Sequence, residues 1–263
     1  MLTNFKPACL AIVTIGSIGM INMSAHACNE IITVAIQGSD GAELNVKVND
    51  VTLINHKGAH FNVIPANLLL EGENDFKIEL TAEDPNAAGR AEVFVACEGD
   101  FPDGPGTNAN VLAELKQKGS GEQKTVFQAQ DLPKYSYLSA SPSSDDGLLE
   151  AIAIMRQAAV SGDKEGYINF LEPMIKDMAV MDNGPPVEFV EHMIAELLGG
   201  TYEISETEEI EVTKILGGRA YQVVNKKGDG PIRFEQKDET NKTVLSQAAY
   251  WIKTSDGWKV FRQ

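Results

Sequence analysis

The sequence predicts an all-β sandwich followed by an α+β domain in which three helices pack on a curved antiparallel sheet. Three observations predict it. From Ile31 to Cys97 the apolar residues recur mostly at every second position, the period of half-buried strands. From Leu148 to Leu198 they recur at steps of three and four, the period of helices with one buried face. Beyond Glu209 the chain returns to short strand-like runs separated by turns rich in Gly, Lys and Asp. The boundaries read as a signal peptide over 1–27, a sandwich over 28–138, a linker over 139–146 and the α+β domain over 147–263.

The first 27 residues carry one cation (Lys6), an apolar run from Ala8 to Ile21 and the small-residue site Ala25-His26-Ala27. That is the pattern of a secretory signal. The run falls short of the roughly 20 apolar residues that cross a bilayer, and no later stretch is long enough either. The reading is an exported chain, periplasmic or secreted, that starts at Cys28. Cleavage removes Cys9 and leaves Cys28 and Cys97, a pair expected to form a disulfide in an oxidising compartment. The alternative is a lipoprotein acylated at Cys28. It would leave Cys97 unpaired, and Ala25 stands where such signals usually carry Leu.

In the first half, Ile32–Ile36, Leu44–Val48, Val51–Leu53 and Phe76–Leu80 alternate as strands, and Arg90–Ala96 supplies another. Asn49-Asp50 reads as a hairpin turn and Glu71–Asn74 as the turn entering the next strand. Glu98–Thr107 is a Gly-, Pro- and Asp-rich loop. Its three carboxylates match no calcium-loop spacing, and it reads as a solvated acidic loop. Val111–Lys116 and Thr125–Ala129 complete the strands, and Ser139–Asp146 reads as a linker.

In the second half the first helix carries Leu148, Leu149, Ile152, Met155 and Ala159 on one face, with Asp145 or Asp146 expected as its cap and Gly162 as its stop. Asp163 caps the next helix, which Pro173 is expected to kink or break. The third opens at Pro185-Pro186 and ends at Gly199-Gly200. Five strands follow: Glu209–Ile215, Arg219–Asn225, Pro231–Gln236, Val244–Lys253 and Trp258–Arg262.

Two stretches resemble known families. Val48-Asn49-Asp50, with Leu69-Leu70-Glu71-Gly72-Glu73-Asn74, resembles the hairpin and turn of many extracellular β-sandwich modules. Ala158–Glu165 and the closing Tyr250-Trp251 … Asp256-Gly257-Trp258-Lys259 resemble the NTF2-like (SnoaL or ketosteroid-isomerase-like) superfamily. This second resemblance covers residues 147–263 and implies a cone with a pocket between helices and sheet. It also implies a carboxylate base just after the second helix, where Asp182 stands, hydroxyl donors of which Tyr167 and Tyr221 are the candidates, and a homodimer through the sheet. The first helix contains no Tyr, a departure from the isomerase pattern that argues against isomerase chemistry here.

Composition narrows the partners. With 22 Lys+Arg against 38 Asp+Glu the formal net charge is −16, which excludes nucleic acid as the main partner. The densest acidic run, Glu203–Glu211, reads as the wet face of an edge strand or as a docking site for a basic partner. His56 and His60 flank Lys57-Gly58-Ala59 without a nearby Cys or carboxylate in sequence, so no metal site is read there. No hydrolase elbow, Walker loop or dinucleotide fingerprint occurs, and no cofactor is expected. The leading expectation is a non-catalytic binding or interaction protein whose partner is a small apolar ligand or another protein. The alternatives are an isomerase or hydrolase using Asp182, and an envelope scaffold or inhibitor for a basic protein.

Overall fold

The computed structural model describes residues 28–97, 99, 104–180, 186–236 and 244–262. The segment read as a signal peptide, 1–27, lies outside the described residues. Among the described residues the protein is mostly β, with four antiparallel sheets and three α-helices.

The first half holds β1 (Glu30–Gly38), β2 (Ala42–Val48), β3 (Val51–Lys57), β4 (His60–Pro65), β5 (Gly72–Ala82), β6 (Ala88–Cys97), β7 (Val111–Lys118) and β8 (Gly121–Ala129). They form two sheets, ordered β4-β1-β6-β7 and β3-β2-β5-β8. Val34, Ile36 and Val93 of the first sheet share one core with Leu44, Val46, Phe76 and Ile78 of the second. The turn between β2 and β3 places Asn49 (φ 50) and Asp50 (φ 65) in the left-handed region. Hairpin turns that match the strand twist require this, and Asn and Asp tolerate it. Cys28 is disulfide-bonded to Cys97, with 5.4 Å between the Cα atoms, as the cysteine count suggested.

The other face of β1 and β6 is also buried, although its residues alternate away from the core: Thr33, Ala35, Glu92 and Phe94. Residues 105–108, beyond β6, are pinned there. Glu92 accepts hydrogen bonds from the Gly106 amide and the Asn108 side chain, both at 2.7 Å. Arg90 donates to the Pro105 carbonyl at 2.9 Å. Glu98, Asp100 and Asp103, the carboxylates of the acidic loop, lie outside the described residues.

The second half opens with a short 3-10 helix, Ser136–Ser139, then α1 (Leu148–Ser161), α2 (Lys164–Val180) and α3 (Val187–Glu196). α1 is not capped by an aspartate side chain. Its cap is Gly147 at φ 80, a conformation a side chain would oppose. Asp146 instead accepts a hydrogen bond from the Ser144 hydroxyl, and its carbonyl receives the Trp258 indole N–H at 3.0 Å. Gly162 ends α1 at φ 71, and the Asp163 carboxylate accepts from the Gly166 amide, as a cap should.

The remaining strands are β9 (Tyr202–Glu206), β10 (Glu211–Ile215), β11 (Ala220–Val224), β12 (Ile232–Gln236), β13 (Val244–Gln247), β14 (Tyr250–Thr254) and β15 (Gly257–Arg262). They make two sheets, not one: β10-β11-β14-β15 and β13-β12-β9. The stretch Val244–Lys253, read as a single strand, breaks at Ala248. With φ 65 that residue turns the chain from one sheet into the other.

Candidate functional site

Helices and sheets of the second half enclose a core in which Met155, Tyr167, Leu171, Phe234, Trp251 and Trp258 are buried together. This is where the sequence places a pocket. The Tyr167 side chain is fully buried, and its hydroxyl donates to Gln247 Oε1 at 2.6 Å, while burial pushes its ionisation well above the usual tyrosine range. Tyr221 stands edge-on to Trp258 with 5.4 Å between ring centres, and its hydroxyl donates to the Ser143 carbonyl. The fold brings both tyrosines into one core and commits each hydroxyl to a partner within the chain. Asp182, the candidate base, lies outside the described residues.

Sequence reading missed two buried charged residues that meet at α2: Asp177 on the helix, and Lys259, which reaches it from β15. Pro173 has no N–H, so the Asn169 carbonyl one turn earlier loses its helical donor. Lys259 of β15 replaces it. Its ammonium, on a residue only 5% exposed, donates to the Asn169 carbonyl at 2.9 Å and to the Asn169 side-chain oxygen at 2.7 Å. The helix is not broken at Pro173, and it is tied to the sheet at the point where its own ladder is interrupted. One turn on, Asp177 accepts from both the amide and the hydroxyl of Ser136, each at 2.7 Å, which fastens the 3-10 helix. Burial raises the Asp177 carboxyl above its ordinary range, and the Ser136 bonds and the nearby Arg262 oppose that rise. A proline inside an otherwise helical pattern and a lysine amid Trp258, Val260 and Phe261 were the available signals.

A third core joins the two halves. Val51 and Leu68 from the first half pack with Tyr137, Ile215, Leu216, Ala220, Ile252 and Phe261. Polar bonds close around it. The Tyr137 hydroxyl donates to the Leu69 carbonyl at 2.9 Å, the Leu216 amide to the Asn49 carbonyl at 3.0 Å, and Arg219 to the Ala140 carbonyl at 2.9 Å. Behind these, Asn49 and Asn74 bond each other at 2.8 Å, and Asn74 also holds the Leu70 amide and carbonyl. These are the asparagines of the hairpin and turn quoted above. Leu68 (φ 61) and Leu216 (φ 53) are buried here in the left-handed region, where a branched side chain is strained and persists only if its surroundings hold it. A homodimer through this face of the β10-β11-β14-β15 sheet would need the surface that the first half already covers.

The acidic run spans two sheet edges. β9 is an edge of its sheet and β10 of the other, and Glu203, Glu206, Glu208, Glu209 and Glu211 are all exposed. Cations stand close by: Arg156 pairs with Glu206 at 3.0 Å, and Lys226, Lys227 and Arg233 line the same groove of about 540 Å³. Another groove, of about 600 Å³, follows α2 past Ile168, Asn169 and Ile175 to Glu191 of α3. Among the described residues no group of three or more His, Cys, Asp or Glu is placed to hold a metal, and no helix is long and apolar enough to cross a membrane. No family model, curated protein or solved structure matches this chain.

Proposed function

We propose that this chain is an exported, periplasmic, non-catalytic binding protein in which an N-terminal β-sandwich and a C-terminal NTF2-like cone act as one body. Its partner is a protein or a small apolar ligand, and it takes no nucleic acid. The observation that carries the reading is the use of Tyr167 and Tyr221. Both hydroxyls are spent inside the core, on Gln247 and on a backbone carbonyl. A group already bonded in a rigid core is poorly placed to stabilise charge developing on a substrate. The single core shared by the two sheets of the first half supports a sandwich, and three helices packed on antiparallel strands support a cone. The Cys28–Cys97 disulfide is the kind of bond that persists outside the reducing cytoplasm and supports export.

Native and denaturing mass spectrometry of the protein recovered from the periplasm tests the reading. The expected chain begins at Cys28, is two hydrogens short of the reduced mass, and releases any retained small molecule with its mass unchanged after prolonged incubation. Acyl mass on Cys28 would overturn the disulfide and make the chain a lipoprotein. A retained molecule converted to a product of altered mass, with conversion lost in Asp182→Asn, would overturn the non-catalytic reading.

A further inference from the structure

The β3–β4 connection carries an arrangement that the core and the junction do not use. β3 belongs to one four-stranded sheet and β4 to the other, so the two-residue link Gly58-Ala59 crosses from sheet to sheet at their shared corner. His56 lies next to last in β3 and His60 first in β4, and the crossing brings their rings to 4.6 Å between centres. His60 Nδ1 lies 2.8 Å from the Gly58 carbonyl. A carbonyl only accepts, so Nδ1 carries the proton, and Nε2 of the neutral ring is left as a bare lone pair. That nitrogen is buried and has no hydrogen-bond partner. The ring is also seated firmly: a Cβ on Gly38 would fall 2.4 Å from His60 Cε1, so the ring lies where only glycine leaves room.

These are the features of a metal-ligating imidazole, whose other ring nitrogen usually donates to a backbone carbonyl or carboxylate. The spacing agrees. A metal about 2.0–2.1 Å from each imidazole nitrogen stands about 3.2 Å from each ring centre, so two ligands at a right angle have centres about 4.5 Å apart and tetrahedral ligands about 5.2 Å. The observed 4.6 Å lies within that range, so only a modest movement of exposed His56 would bring both rings onto one ion. Imidazole affinity for first-row divalent ions peaks at copper. We infer that His56 and His60 form a two-imidazole site for Cu²⁺, with water completing the coordination. His60 is the pre-oriented ligand, and exposed His56 swings to meet the ion.

The test is a Cu²⁺ titration of the disulfide-bonded chain from residue 28, followed by calorimetry and by electron paramagnetic resonance. One ion per chain is expected, with hyperfine structure from two imidazole nitrogens. His56→Ala and His60→Ala should each weaken binding at least tenfold. His192→Ala, at an exposed position of α3, should leave binding unchanged. His56 is exposed, so His56→Ala is expected to keep the wild-type melting temperature and remains informative should His60→Ala fold poorly. Absence of binding by the wild type at millimolar Cu²⁺, or wild-type affinity in His56→Ala, would overturn the site and reduce the pair to a ring contact.

Discussion

The two sheets of the C-terminal half have strands of similar length, yet one is buried on both faces and the other on one. In β10-β11-β14-β15, Tyr221, Trp251, Trp258 and Val260 face the helices, while Ala220, Ile252 and Phe261 face the first half of the chain. Its central strand β14 accordingly opens on a continuous apolar run, Tyr250-Trp251-Ile252. In β13-β12-β9, Ile232 and Phe234 are buried while Arg233 and Glu235 pair with each other on the far side, so β12 alternates. Antiparallel sheets commonly keep one wet face, and a continuous apolar run in such a sheet announces a further layer. Here that layer is the chain's own N-terminal half. The two-faced sheet is therefore the element that joins the halves into one body.

Substitutions on the two sheets should separate these roles. Tyr137→Ala removes a buried aromatic from the junction together with its bond to the Leu69 carbonyl, and should cost about 4 kcal/mol in chemical denaturation, in the range for buried Phe→Ala. Ile252→Ala, on the junction face, should cost about 3 kcal/mol. Glu235→Ala, on the wet face of the other sheet, should stay within about 0.5 kcal/mol. Equal effects for the last two would break the comparison.

Lys259 sharpens it. Lys259→Met removes the ammonium from the Asn169 carbonyl and should cost about 2 kcal/mol, in the range for a hydrogen bond to a charged group. Pro173→Ala restores the missing helical N–H, so in that background the same lysine substitution should cost measurably less. Additive effects in the double-mutant cycle would show that the lysine does not stand in for the missing helical bond.

The smallest expected effect is on pH dependence. Burial raises the Asp177 carboxyl above its ordinary value near 3.9, so the native state holds that proton more tightly than the unfolded chain does. Its contribution to stability is fully present below the unfolded value and is lost as pH rises through the folded one. Asp177→Asn should therefore flatten the stability profile from about pH 3.9 upward. An unchanged profile would mean that the Ser136 bonds and Arg262 cancel the burial.

Most single strands of the first half were legible because alternation is local. β4 was not, since His60-Phe61-Asn62-Val63-Ile64-Pro65 lacks a clean alternation and ends in proline. The helices were legible from their period, but the partner of the Asn169 carbonyl that Pro173 leaves without a helical donor is Lys259, 90 residues away. Splitting Val244–Lys253 between two sheets rests on the backbone of Ala248, which side-chain pattern does not report. Ser139–Asp146 has the composition of a linker, yet Ala140 is part of the junction core and the Ser143 amide bonds the Gly218 carbonyl. Of the candidate site, Tyr167 and Tyr221 were found as buried residues, whereas their hydroxyl partners come from distant positions. The approach of His56 to His60 follows from a sheet-to-sheet crossing visible only in the fold.

The central claim is that the two halves fold as one body through the two-faced sheet, and differential scanning calorimetry of residues 28–263 with the disulfide intact tests it most directly. The account predicts a single transition with equal calorimetric and van't Hoff enthalpies, split or broadened by Tyr137→Ala. Two separate transitions in the wild type, with Tyr137→Ala shifting neither, would contradict it.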